Sequence, residues 1–296
     1  MYEAYALSGA LSEATLVLFT TLAPSGAMAF VLMSIPLVFG GKHVDQSMQR
    51  GIVKYLSVPI LVAMVGLVAS ATHLGSPANA LYVLTGFGRS PLSNEVVFGV
   101  LFLGSGGIYW LTSFAAREKS ATARRVVLVL ISAFGLMFIT AISLAYNAST
   151  IITWSSPFAI VAVWLNALIG GPLLALFGFR LARFYTDGHH LGKVLLVVSA
   201  VALVINIIEY VCWGLSLPSF VNSMTSADAL APAFFPMIAA FSILCACAIA
   251  LSARAVRDKG ETPLWVLVCS CLLAFMGIYI MRLAFYMIHM TVGVGI

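Results

Sequence analysis

Charge is scarce in this sequence. Of its 296 residues only 8% are Asp, Glu, Lys or Arg, while 62% are apolar and the mean hydropathy is +1.07. A soluble domain of this size carries about a quarter charged residues, so a surface facing water on all sides is excluded. Long polar stretches are also missing, and no soluble domain, coiled-coil heptad or low-complexity tract interrupts the apolar runs. The runs lack the strict alternation of an outer-membrane barrel strand. In hydrocarbon every backbone polar group must be bonded within the polypeptide, so runs of this length are helices. The first twelve residues contain Glu3 but no Lys or Arg, so a cleavable signal peptide with its basic leading segment is not expected. The five cysteines, Cys212, Cys245, Cys247, Cys269 and Cys271, lie inside apolar runs and say nothing about redox compartment. Cys245–Cys247 and Cys269–Cys271 lack the four-ligand spacing of a zinc or iron–sulfur site and read as small packing residues.

What is present is a series of apolar runs, each long enough to cross a bilayer at about 20 residues per span. Eight spans are expected, at roughly 13–39, 54–74, 94–116, 125–146, 156–182, 192–213, 231–253 and 263–289. The fold class is all-α, a single integral membrane domain over residues 1–296, with no evident internal repeat. The net charge of +5 and pI of about 9.0 do not point to nucleic acid, because the basic residues fall in short loops between spans. One set of loops holds Lys42, Arg50, Lys54, Arg117, Lys119, Arg124, Arg125, Arg180, Arg183, Lys193, Arg254, Arg257 and Lys259. The alternate loops hold only Arg89, and Arg282 lies within the last span. Positively charged loops stay in the cytoplasm, so both termini and the 75–93 loop are expected on the outer side of the membrane.

Ionisable groups inside spans are costly and mark functional candidates. They fall in the outer half: His73 at the end of the second span, Glu95 at the start of the third, Tyr146 at the end of the fourth, Glu209 near the outer end of the sixth, and Arg282 and His289 in the last. Arg282 lies about 10 Å deep at 1.5 Å per residue. Tyr279, Arg282, Tyr286 and His289 follow i, i+3, i+7, i+10 and share one helix face. Each position has a structural reading: an interfacial His73, a Glu95 favoured by the helix dipole, an Arg282–Glu209 ion pair that neutralises both charges. Their one-sided clustering points to a small-molecule pocket that handles protons. Gly170-Gly171-Pro172 in the fifth span permits close helix approach. His189-His190 lies in an inner loop and reads as solvated.

These residues belong to longer motifs: Thr72-His73-Leu74-Gly75-Ser76-Pro77, Pro91-Leu92-Ser93-Asn94-Glu95, Tyr146-Asn147, Thr153-Trp154, Gly170-Gly171-Pro172-Leu173-Leu174, then Arg282, Phe285-Tyr286 and His289-Met290-Thr291-Val292-Gly293. In this order, from the second span to the C-terminus, the sequence resembles the membrane anchor subunit of dimethyl sulfoxide reductase. The first span matches only in hydropathy. The resemblance implies eight spans with both termini outside, in the bacterial cytoplasmic membrane. It implies a menaquinol site without haem, and electron transfer to an iron–sulfur (four-cluster ferredoxin-like) subunit and on to a molybdopterin catalytic subunit, both on the outer face. By resemblance His73 is the histidine of the quinol site and Glu95 the acidic residue near it; the one-sided clustering adds Tyr146, Glu209, Arg282, Tyr286 and His289 to the expected quinol-binding set. Some relatives carry a basic residue shortly after the His-Leu-Gly motif where this protein has Asn79, so the quinol or subunit contact differs there.

Two other readings remain open. A haem b anchor needs facing axial histidines, and His73 and His289 supply at most one pair. A secondary transporter needs midplane polar residues and broken helices, of which Pro172 is the one hint. Quinol oxidation suits the pattern best, since a neutral imidazole can accept a hydrogen bond from a quinol hydroxyl and titrates near neutrality.

Overall fold

A computed structural model describes residues 2–40, 44–72, 77–115, 120–184, 190–222, 225–258 and 262–290 of the protein. The backbone runs as α1 (Tyr2–Ser12), α2 (Ala14–Phe39), α3 (Gln46–Tyr55), α4 (Ser57–Ala71), a 3-10 segment (Pro77–Gly86), α5 (Pro91–Ala115), α6 (Ala121–Ala145), α7 (Pro157–Leu181), α8 (Leu191–Ser216), a short 3-10 turn (Leu217–Ser219), α9 (Ala227–Leu230), α10 (Phe234–Arg257) and α11 (Leu264–Met287). Among the described residues eight helices are long and apolar enough to cross a membrane, with α3 and α4 forming one of them, Gln46–Ala71. They match the eight expected spans to within a few residues except at the start of the second. That span gains the polar α3, whose N-cap Asp45 accepts a hydrogen bond from the Met48 backbone N–H at 2.7 Å. The helix α1, built from the first residues of the sequence, lies outside those spans. It buries Ala6 and Ala10 and packs on α11 and α9.

The eight helices form two groups of four. In the first, α2 packs on α4 and α6, and α5 packs on α4 and α6. In the second, α7 packs on α8 and α11, and α10 packs on α8 and α11. The pairing within one group is therefore repeated in the other, and the groups meet through α2 and α7, with α2–α11 and α6–α7 contacts on either side. The sequence shows no such repeat, because the packing depends on small residues rather than on any copied motif.

Those small residues explain why α2 and α7 lie in the middle. Where helices associate in lipid, backbones must approach closely to gain van der Waals contact. A Cβ added at Gly26 of α2 would stand 2.7 Å from both Ala63 N and Pro59 O of α4. Gly170 and Gly171 of α7 abut Ser25 and Met28 of α2, so the Gly-Gly-Pro motif serves the central helix contact. Cys245 and Cys271 pack in the interior, their thiols directed at Ala274 O (3.9 Å) and Leu173 O (3.7 Å). Outward-facing positions such as Val65, Ile108, Val126, Val201, Ile243 and Leu272 are exposed and apolar, as a lipid-facing surface requires.

Candidate functional site

The site lies at the end of the bundle opposite the basic residues, where both four-helix groups contribute. Glu95 is the fifth residue of α5, just past its first turn. The turn before it is fixed locally: Gly88 adopts φ 79°, a conformation that disfavours a side chain, and its N–H donates to Asn94 Oδ1 at 2.7 Å. The neighbours of Glu95 in Leu-Ser-Asn-Glu thus anchor the helix start and aim the carboxyl inward, where it is 1% exposed and Oε2 has no hydrogen-bond partner among the described residues. Tyr146 closes α6.

Arg282 is the centre of the arrangement. It is 1% exposed, and its Nε donates to Thr20 Oγ1 of α2 at 2.9 Å. Thr20 in turn donates to Leu16 O at 3.0 Å, so the acceptor is held in place. The guanidinium carbon lies 4.1 Å from the Phe285 ring centroid, 5.4 Å from Tyr146 and 5.8 Å from Tyr286, contacts that each contribute on the order of 0.5–2 kcal/mol. Its Nη2 has no partner among the described residues. The ion pair with Glu209, one structural reading of the sequence, is not formed: Arg282 Nε is held by Thr20 and its guanidinium lies against aromatic faces, and both Glu209 carboxyl oxygens are buried without a hydrogen-bond partner among the described residues. Glu209 still lies within electrostatic range of Arg282. A buried polar atom left bare costs on the order of 1–3 kcal/mol, so these groups call for a partner beyond the described residues.

The loop after α6 ties down the end of α11. Its Trp154 Nε1 donates to Phe285 O at 3.0 Å, Thr153 Oγ1 to Ile288 O at 2.6 Å, and Ile152 N to Met290 O at 3.0 Å. The first satisfies a carbonyl that the helix C-terminus leaves unpaired, and the other two fix the residues just beyond it. Trp154 also stacks on Phe285 at 4.4 Å and meets Tyr286 edge-on at 5.6 Å. Tyr146 stands 5.9 Å from Tyr286 and 6.0 Å from Phe285, both edge-to-face. The result is an aromatic box in which Tyr146, Phe285 and Tyr286 surround one guanidinium and Trp154 backs their rings, with Glu95 within electrostatic range of both tyrosines. His289 lies at the mouth, exposed, 5.0 Å from Trp154. Partial burial there pushes its imidazole below the ordinary value, an effect opposed by the carboxylate of Glu13.

The structure therefore brings together Glu95, Tyr146, Arg282, Tyr286 and His289. Glu209 reaches the group only through Arg282, and Tyr279 is half-buried a turn further in. His73 and Asn79 are not placed in this cluster: His73 lies outside the described residues, and the side chain of Asn79 is likewise outside them. Sequence reading missed Thr20 and the structural part of Trp154, which only the fold brings to α11. It also missed Asn206, Tyr210 and Trp213, which share a face of α8 with Glu209 at i−3, i+1 and i+4. That stripe was readable.

The sequence pattern of the DMSO reductase anchor subunit (DmsC) family matches residues 7–288. The protein belongs to this family. It is 32% identical over 286 residues to the YnfH chain of anaerobic dimethyl sulfoxide reductase from Escherichia coli strain K12, a match spanning 96% of this protein and 97% of that one. It is 32% identical over 286 residues to the C subunit of anaerobic dimethyl sulfoxide reductase from the same organism, with the same coverage. The C subunit from Haemophilus influenzae is 28% identical over 290 residues, spanning 97% of this protein and 98% of that one. As a member of the DmsC family with eight apolar helices, the protein is a multi-pass membrane anchor subunit of a DMSO reductase-type oxidoreductase of anaerobic respiration. The family assignment covers both four-helix groups, so the residues that converge on Arg282 from α2, α5, α6 and α11 all lie within the matched region.

Proposed function

We propose that this anchor oxidises menaquinol near the outer face of the bacterial cytoplasmic membrane and delivers the electrons to an iron–sulfur subunit docked on that face, which feeds a molybdopterin catalytic subunit. The observation that carries the reading is the convergence of a buried carboxyl, two tyrosines and an unsatisfied guanidinium N–H at one end of the bundle. Oxidising a quinol removes two protons and two electrons. His73 accepts a hydrogen bond from one quinol hydroxyl and takes its proton, as a neutral imidazole can near pH 7. Glu95 receives the second proton, and His289 at the mouth passes protons to outer water. Arg282 turns its free N–H toward the oxygen on which negative charge develops, fixed there by Thr20 and Phe285 before substrate arrives. The aromatic box excludes water and accepts a flat, apolar ring system. The excess of basic residues in the opposite loops supports an outer position for this end and for both termini.

The test uses the assembled complex in membranes. His73→Ala should abolish menaquinol oxidation and leave the reduction of acceptor by a viologen donor, which bypasses the anchor, at the wild-type rate. Retained quinol oxidation would refute the reading, and loss of both activities would show that His73 serves assembly instead.

A further inference from the structure

A second polar group lies beside the first and is joined to it by Arg282. Asn206, Glu209, Tyr210 and Trp213 are spaced i, i+3, i+4, i+7 on α8 and turn one face to the interior. Asn206 Nδ2 donates to Asn166 Oδ1 of α7 at 2.8 Å, and Asn166 Nδ2 donates to Tyr210 Oη at 3.0 Å. This hydrogen-bonded path links the two helices near mid-membrane. Yet it is incomplete: Asn206 Oδ1, both Glu209 oxygens, Trp213 Nε1 and Arg282 Nη2 are buried with no partner among the described residues. Trp213 lies 5.8 Å from Phe285, whose ring carries Arg282 at 4.1 Å, and Glu209 is within electrostatic range of both Arg282 and Tyr210. Toward the other end the face closes. Ser199 donates to Ile169 O at 3.2 Å among buried Leu195, Ala202 and Leu203.

Acceptors and donors of both kinds, buried together and unpaired, do not satisfy one another in this arrangement. A water molecule does, since a buried water makes about three hydrogen bonds to polar groups otherwise unsatisfied. We propose that this face of α8 binds internal water between Glu209, Arg282 and Trp213, and that these waters make Glu209 a second proton station for quinol oxidation. The step is a simple one. When Glu95 still holds a proton, the second quinol O–H bond breaks with its proton crossing the bound water to a Glu209 carboxylate oxygen, and the electron leaves to the iron–sulfur cluster of the partner subunit. Glu209 later releases the proton outward, because the closed Ser199 end offers no hydrogen-bonded route to the opposite face among the described residues. Asn166 and Asn206 orient the cluster and carry no proton, since an amide exchanges protons poorly.

This inference rests on the quinol reading, and its test separates the two. A cryo-electron microscopy map of the intact complex that resolves water should show density bridging Glu209, Arg282 and Trp213, whatever the substrate. A dry contact there overturns the proposal. In membranes, Glu209→Gln and Trp213→Phe should each lower kcat for menaquinol by roughly tenfold to a hundredfold and raise the solvent deuterium isotope effect. The KM should stay within about twofold, because these residues stand behind Arg282, and the viologen-driven rate should be unchanged. Wild-type kcat and isotope effect in both variants, even with water present, overturn the proton role. If wild-type membranes oxidise no quinol, the proposed function fails and the proton role fails with it, while the map alone decides the water site.

Discussion

Arg282 shows why a buried charge need not form an ion pair. The sequence offers a pair with Glu209 as one structural reading, because two charges in hydrocarbon can neutralise each other. The fold compensates Arg282 otherwise, through Thr20 and three aromatic faces, and leaves Nη2 with its two N–H groups without a partner among the described residues. Thr20 is thereby a positioning residue. Thr20→Val keeps the shape and removes the acceptor of a hydrogen bond to a charged group, which contributes about 1.5–3 kcal/mol. The expected outcome is a fall of roughly tenfold or more in kcat/KM for menaquinol, with recovery in Thr20→Ser, read in steady-state assays on membranes. An unchanged Thr20→Val would show that aromatic contacts alone orient Arg282. His289 gives a pH dependence. Its burial lowers its affinity for a proton, so the imidazole stays neutral through the physiological range and charges only on acidification. A depressed folded pKa means the favourable contribution is present above about pH 6.5, the ordinary value, and is lost as pH falls below it. Quinol oxidation should therefore decline on the acid side, and the pH–rate profile of His289→Gln should lose part of that limb.

Among the elements, α2 is the one on which the others depend. It contacts α4, α6, α7 and α11, and it carries Thr20 to the site. Its packing rests on residues without bulk. Gly26→Val would drive a side chain into the backbone of α4, where even a Cβ stands 2.7 Å from Ala63 N and Pro59 O. Overpacking of this kind costs about 1–3 kcal/mol, so the detergent-solubilised complex should lose thermal stability. Gly9→Ala in α1, with nothing within 4 Å of the added carbon, should not. The spans themselves were legible because bilayer thickness and backbone hydrogen bonding leave so few options. The polar start of α3 was not, since its Asp45 cap and basic residues read as loop. Helix α1 was missed because it is too short to span, and it is held by contacts with α11 and α9, which sequence alone does not bring together. The site was legible in part. Glu95, Tyr146, Arg282 and Tyr286 stood out as polar groups in apolar runs. Trp154 was visible only within a motif, and its hydrogen bond to Phe285 O is a product of tertiary packing.

At the scale of the whole molecule, charge is separated between two ends. Basic residues mark one, while the buried polar cluster marks the other, so protons and electrons of the quinol are expected to leave on the same side. No charge then crosses the bilayer, and none of the roughly 2.3 kcal/mol per charge per 100 mV is stored. Proteoliposomes turning over menaquinol should develop no membrane potential, and a cysteine placed at Arg89 should react with an impermeant label from outside. A potential, or labelling from the cytoplasm, would reverse the assigned orientation. The central claim is that the cluster around Arg282 is the menaquinol site, and Glu95 tests it most directly. Its carboxyl is aimed into that cluster, its own packing is fixed by Asn94 and Gly88, and Glu95→Gln preserves its shape. The decisive measurement is the rate of menaquinol oxidation by membranes carrying Glu95→Gln, set against the viologen-driven rate of the same membranes. The account predicts a loss of roughly a hundredfold in the first with the second intact. A wild-type rate with menaquinol would contradict it.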